Sequence, residues 1–169
     1  VKRLPAEVVA SLLAASTVFI ALPPLNLPPW AIFVSWAGTF AAGGPTPHVL
    51  RRIWPTLPAG ATFALVIVLL FDVAGRALSG TPLLIAQALI IFAINTCLMY
   101  TGRIAALSFI PGMFFGFACY FATLFGGFGP AQDPFAAWAA SVSMTMLGPA
   151  FAWLTARFGA HPHGAPSRD

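Results

Sequence analysis

The chain is 169 residues long, 59% hydrophobic and 7% charged, with a formal net charge of +4. A soluble domain carries roughly a quarter charged residues, so this composition excludes a water-covered globule and makes lipid the sensible solvent. The basic excess does not mark a nucleic-acid binder. It sits in short joints between apolar runs, and neither a basic patch with interleaved aromatics nor zinc-finger spacing occurs.

Lys2, Arg3 and the apolar residues after them look like a secretory signal, but similar runs recur to the C-terminus and no polar mature domain follows. A single all-α, polytopic membrane domain is therefore expected over 1–158, with six spans at about 5–22, 28–43, 57–78, 82–100, 105–125 and 135–157. The first run stops at PPLNLPP, 23–29, because so many prolines cannot continue a helix. Trp30 then reads as an interfacial anchor. The second run is short for a span and ends at Gly43, Gly44 and Pro45. It reads as a tilted full span, with a half-helix that turns back as the alternative. The segment TPHVLRRIWP reads as a loop before the third run. SGTP, TGRIA and GGFGPAQDP separate the remaining runs. The tail, 159–169, reads as a flexible cytoplasmic segment.

Basic residues test this count. With the N-terminus in the cytoplasm, Lys2, Arg3, Arg51, Arg52, Arg103, Arg157 and Arg168 all fall inside, and only Arg76 falls outside. That is the positive-inside pattern for six spans, with both termini cytoplasmic.

Few residues offer chemistry. Asp72 and Arg76 share a helix face at i, i+4. They suit a polar constriction near the outer mouth of a pathway, or an interfacial ion pair with Arg76 reaching the headgroups. Asn95 and Thr96 lie deep in the fourth run, where an amide either contacts a solute or hydrogen-bonds to another helix. Pro111 opens the fifth span. Gly112 and Gly116 form a small-residue step for close helix approach, within one chain or between subunits. Cys119 beside it reads as a packing residue, and Cys97 also lies inside an apolar run. SWAGTFAAGG, 35–44, and SFIPGMFFG, 108–116, echo one another from Ser through Gly to Phe. The echo suggests inverted three-helix halves, an arrangement that builds transport pathways.

No phosphate loop, dinucleotide fingerprint, zinc-protease motif, calcium loop or nucleophile elbow occurs, and no His pair lies within a span. Enzyme activity, a metal and a cofactor are not expected. His161 and His163 read as incidental tail residues.

SWAGTFAAGG and LSFIPGMFFGFACYFA resemble the signature regions of a bacterial inner-membrane family, the domain-of-unknown-function-1097 family, over about 11–154. The proline-rich turn and the Pro/His/Arg-rich joint depart from that pattern. The resemblance implies fold and location, and no activity. The functional expectation is a small-solute channel or facilitator, of one chain or an oligomer. The alternative is a structural or accessory subunit of a larger membrane complex. Expected partners are lipids and a second copy or other membrane subunits, without nucleic acid.

Overall fold

Proline and glycine divide the chain into six α-helices in the computed structural model, which describes residues 4–160. Helix α1 spans Ala6–Ser16 and tightens into a 3-10 turn at Thr17–Phe19. Helix α2, Pro29–Ala41, opens on a proline, whose missing N–H costs nothing in the first turn. It ends before Gly43 and Gly44, whose φ values of 110° and 86° suit glycine alone. Helix α3, Pro47–Ala77, is capped by Thr46, whose hydroxyl accepts the Val49 N–H. Helices α4, Gly80–Thr101, and α5, Ile110–Phe125, follow. Helix α6, Pro134–Phe158, is capped by the Asp133 carboxylate, which accepts the N–H groups of Phe135 and Ala136. The only strands among the described residues are β1, Leu4–Pro5, and β2, Gly159–Ala160, which pair in parallel.

The six expected runs each hold a helix, with one large shift of boundary. The third begins at Pro47, ten residues before the expected 57, and TPHVLRRIWP is helical. Pro55 and Pro58 lie inside it. They remove two N–H donors, but the carbonyl that Pro55 frees belongs to Arg51, on an exposed end where water can reach it. Gly159 and Ala160 of the expected tail are paired in β2, and 161–169, with His161 and His163, lie outside the described residues.

Contacts sort the joints into two ends. At one end β1 meets β2, Ala156 lines a recess with Gly43–Thr46, and the Arg52 guanidinium lies over the Phe109 ring, 5.8 Å from its centroid. At the other, Asn26 donates to the Gly127 carbonyl and accepts from the Gly129 N–H, and Trp30 meets Phe128 edge-on. Arg51 and Arg76 stand near opposite ends of α3, separated by about 37 Å of helix.

Three helices, α3, α4 and α6, are long and apolar enough to cross a membrane. With these the chain is a multi-pass membrane protein. Helix α1 with its 3-10 turn and α5 are apolar but shorter. The 13 residues of α2 rise about 20 Å, against a hydrocarbon core of about 30 Å.

The centre is made of α2, α3, α5 and α6. The main packing is α3 on α5 and α2 on α6, with α3 on α6 between them. The Trp54 indole donates to the Met146 carbonyl at 3.1 Å, and the Trp138 indole donates to the Thr62 hydroxyl at 3.2 Å. These bonds run in opposite directions across the α3–α6 contact, two turns apart. Helices α1 and α4 are peripheral, α1 resting on α6 and α4 on α3.

Candidate functional site

The site with the most structural definition is the pair of short helices, α2 and α5, and the crossings they make. Both open on a proline in the first turn and both end at a Gly-Gly pair. They run in opposite directions between the two ends of the molecule. Each crosses one long helix at van der Waals distance of the backbones. A Cβ at Gly60 on α3 would overlap the Met113 carbonyl, and one at Gly116 on α5 would overlap the Leu57 carbonyl. A Cβ at Gly112 would strike the Thr56 hydroxyl. On the other side, a Cβ at Gly148 on α6 would strike the Ser35 hydroxyl and the Ile32 carbonyl of α2. Between the short helices, a Cβ at Gly38 would collide with the Phe115 ring.

The two crossings share a burial pattern. Ala31, Ile32, Ser35, Gly38 and Thr39 are buried on α2; Gly112, Met113, Gly116, Cys119 and Tyr120, each 81 positions later, are buried on α5. The sequence follows, WAGTFA at 36–41 against FACYFA at 117–122. Every buried residue of α3 except Leu65 has a buried counterpart 88 positions later on α6, from Val49 with Ala137, through Gly60 with Gly148, to Ile67 with Thr155. GATFA at 60–64 stands against GPAFA at 148–152. The expected match of Ser35 with Ser108 does not hold. Ser35 is fully buried within α2, whereas Ser108 is exposed and precedes α5. A match of letters alone set a loop residue against a core residue.

The buried hydroxyls at these crossings are occupied. Thr39 donates to the Ser35 carbonyl, Thr56 to Ile53, Thr123 to Cys119 and Thr145 to Ser141, at 2.6–2.9 Å. They act as small packing residues that return their proton to their own helix. Tyr120 and Ser141 differ, because their buried hydroxyls find no partner among the described residues. Nothing in the primary sequence marks them apart from the other hydroxyls.

The chain matches the family model described as Protein of unknown function (DUF1097) over residues 7–160. It belongs to that family. No curated protein and no solved structure matches it significantly.

In this DUF1097 chain the expected site residues do not converge. Asp72 and Arg76 do share a face and form a salt bridge, with side chains 61% and 76% exposed. The pair stands near the C-terminal end of α3 and is aimed at surroundings, not at the helix crossings. Thr96 donates to its own Phe92 carbonyl, and Asn95 is half-buried with no side-chain hydrogen bond among the described residues. Gln87, a second amide inside α4, is in the same position and escaped the sequence reading. Pro111 is exposed in the first turn of α5 and sets the start of that helix. Gly112 and Gly116 face α3 of the same chain, which makes their strip an intramolecular contact. Cys119 is buried with Ala31, Ile32 and Met144 as a packing residue, and Cys97 is exposed on α4. No group of His, Cys, Asp and Glu able to hold a metal occurs among the described residues.

Proposed function

We propose that the chain is a small-solute channel or facilitator of the bacterial inner membrane, built of two inverted three-helix halves, α1–α3 and α4–α6. All six helices enter or cross the bilayer in this reading. The observation that carries it is the paired short helices. Unusually short, proline- and glycine-bounded apolar segments at corresponding positions of two halves point to a transport site. Helices α2 and α5 answer that description, and the shared burial registers of 81 and 88 support the correspondence.

The pathway would run beside the Gly38–Phe115 contact, where the two halves meet through their short helices. Selection would come from width and aromatic walls. No bond is made or broken in this reading, so the protein is not an enzyme. Asp72 and Arg76 would stand at the outer mouth, as a charged lip that solutes pass. The cytoplasmic side would carry Arg51, Arg52, Arg103 and Arg157.

Stopped-flow light scattering on proteoliposomes tests this. Small neutral and ionic solutes are presented in turn, with protein-free liposomes as baseline. At least one solute should equilibrate several-fold faster than baseline. Gly38→Ile should reduce that rate by pushing α2 off the Phe115 ring. Asp72→Ala should change it without loss of membrane insertion. If every solute moves at the baseline rate with correctly inserted protein, the channel reading fails.

The accessory-subunit reading has one observation in its favour. Helix α4 has 22 residues, yet only Leu98 on it is buried. A helix so poorly covered by its own chain is suited to a subunit of a larger assembly.

A further inference from the structure

The two ends of the molecule are not sealed alike. Helix α5 packs along α6, whereas the corresponding pair, α2 and α3, barely touches. Where α2 and α3 part there is a cleft of about 20 Å³, lined by Ala42, Val49, Arg52 and Phe109. The registers of 81 and 88 set these residues against Thr123, Ala137, Ala140 and Pro28. All of the counterparts are buried, Thr123 and Ala137 completely, Ala140 to 3% exposed and Pro28 to less than 2%. The joint between α5 and α6 closes over that end. Gly129 lies against the Ala140 methyl group and donates its N–H to the Asn26 carbonyl at 2.8 Å. In inverted halves that rock against one another, an end that is packed and a matching end that is parted define which side is open. Here the open side is the Arg51 end.

The cleft points at the proposed pathway. Ala42 stands one turn beyond Gly38, whose neighbour across the halves is Phe115. At the rim, Arg52 is exposed with its guanidinium over the Phe109 ring, and it makes no salt bridge and no side-chain hydrogen bond among the described residues. A cation–π contact at an exposed site is weak. It holds the side chain across the opening without neutralising it. The remaining walls, Ala42, Val49 and Phe109, carry no charge. The surrounding end is also cationic, with Arg51, Arg103 and Arg157 against Glu7 among the described residues.

We infer that this cleft is the cytoplasmic mouth of the pathway and that it takes small anions, carboxylates or inorganic oxyanions, with Arg52 as the residue that selects them. The inference rests on the transport reading and adds an entrance and a solute class. An uncompensated cation at a mouth with apolar walls raises the local concentration of anions and repels cations. The cleft has room for a water molecule while Arg52 lies on Phe109. An anion that draws the guanidinium off the ring would widen it.

Thiol labelling in inside-out membrane vesicles tests this, with Cys97 and Cys119 replaced by alanine and one cysteine introduced at a time. Ala42→Cys reports on the cleft and Thr123→Cys on its buried counterpart. Each is treated with a sulfonate-bearing and with a trimethylammonium-bearing methanethiosulfonate, and each rate is divided by that reagent's rate with free mercaptoethanol. Ala42→Cys should favour the anionic reagent by about 3- to 10-fold, the effect of one unit charge a few ångströms away in water. Arg52→Gln should abolish the preference, while Arg52→Lys and Arg51→Gln should keep it. Thr123→Cys should resist both reagents. Equal corrected rates at Ala42→Cys, a preference that survives Arg52→Gln, or labelling of Thr123→Cys as fast as Ala42→Cys would each overturn the inference. Labelling does not read flux, so the two readings fail separately. A lost preference leaves flux of neutral solutes standing, and absence of all flux in proteoliposomes strikes the transport reading itself.

Discussion

Gly60 and Gly75 lie on the same helix and predict opposite outcomes. An alanine at Gly60 would drive its Cβ into the Met113 backbone, while a Cβ at Gly75 meets nothing within 4 Å. Gly60→Ala should lower the unfolding temperature by an amount worth about 1–3 kcal/mol, as overpacking does. Gly75→Ala should leave it level or raise it, because alanine is favoured over glycine in a helix by about 0.5–1 kcal/mol. Thermal melts in one detergent compare the pair directly, and equal behaviour would mean that the α3–α5 crossing is looser than described. Tyr120→Phe offers a second test at this scale. Its hydroxyl is buried without a partner, and removing it keeps the ring in place. The melt should shift upward by about 1 kcal/mol in stability, since an unsatisfied buried group is a cost. A downward shift would show that the hydroxyl is paired. The small-residue step at Gly112 and Gly116 was visible in the sequence, but its partner was not. A GxxxG spacing says that a backbone comes close, without saying whose.

At the scale of elements, the contact between α3 and α6 rests on two indole hydrogen bonds, Trp54 to Met146 and Trp138 to Thr62. Replacing either tryptophan by phenylalanine should cost about 0.5–1.5 kcal/mol from the lost hydrogen bond. The two bonds are two turns apart and share no partner, so the double variant should show the sum within about 0.5 kcal/mol. A larger joint effect would mean that α3 and α6 separate as one unit. Hydrophobic run length made the existence of every helix legible, and Gly-Gly or Pro signals fixed most ends. The start of α3 was illegible for a physical reason. Pro55 and Pro58 read as helix breakers, and a membrane helix tolerates them when the freed carbonyls find other donors. The Ser-to-Phe echo set Ser35 against Ser108 by letters alone, whereas the burial pattern of α2 recurs on α5 with Ser35 against Gly116, and Ser108 is exposed ahead of α5.

For the whole molecule, the arginines and the tertiary contacts make the same division. Arg51 and Arg52 share an end with the joint before α5, through the Arg52–Phe109 contact, and Arg76 stands at the far end of α3. Residues Leu4–Pro5 and Gly159–Ala160 lie side by side. From that division the positive-inside rule predicts an orientation, with the Arg51 end in the cytoplasm. Helix α2 is the weak link, since 13 residues are short for a crossing and a re-entrant segment would also explain them. Single cysteines at Leu25, Thr46, Ser79, Ala105 and Ala131, with Cys97 and Cys119 replaced, separate the cases. A membrane-impermeant thiol reagent added to intact cells should label 25, 79 and 131, and should label 46 and 105 only after lysis. The decisive comparison is 25 with 46. Labelling of both from the same side would make α2 a half-helix and remove one crossing. Opposite sides would require about 20 Å of α2 helix to span with the help of its flanking segments, through a locally thinned bilayer. The cost of such mismatch is fractions of a kcal/mol per ångström, small enough for the arginine bias at the joints to hold the helix across.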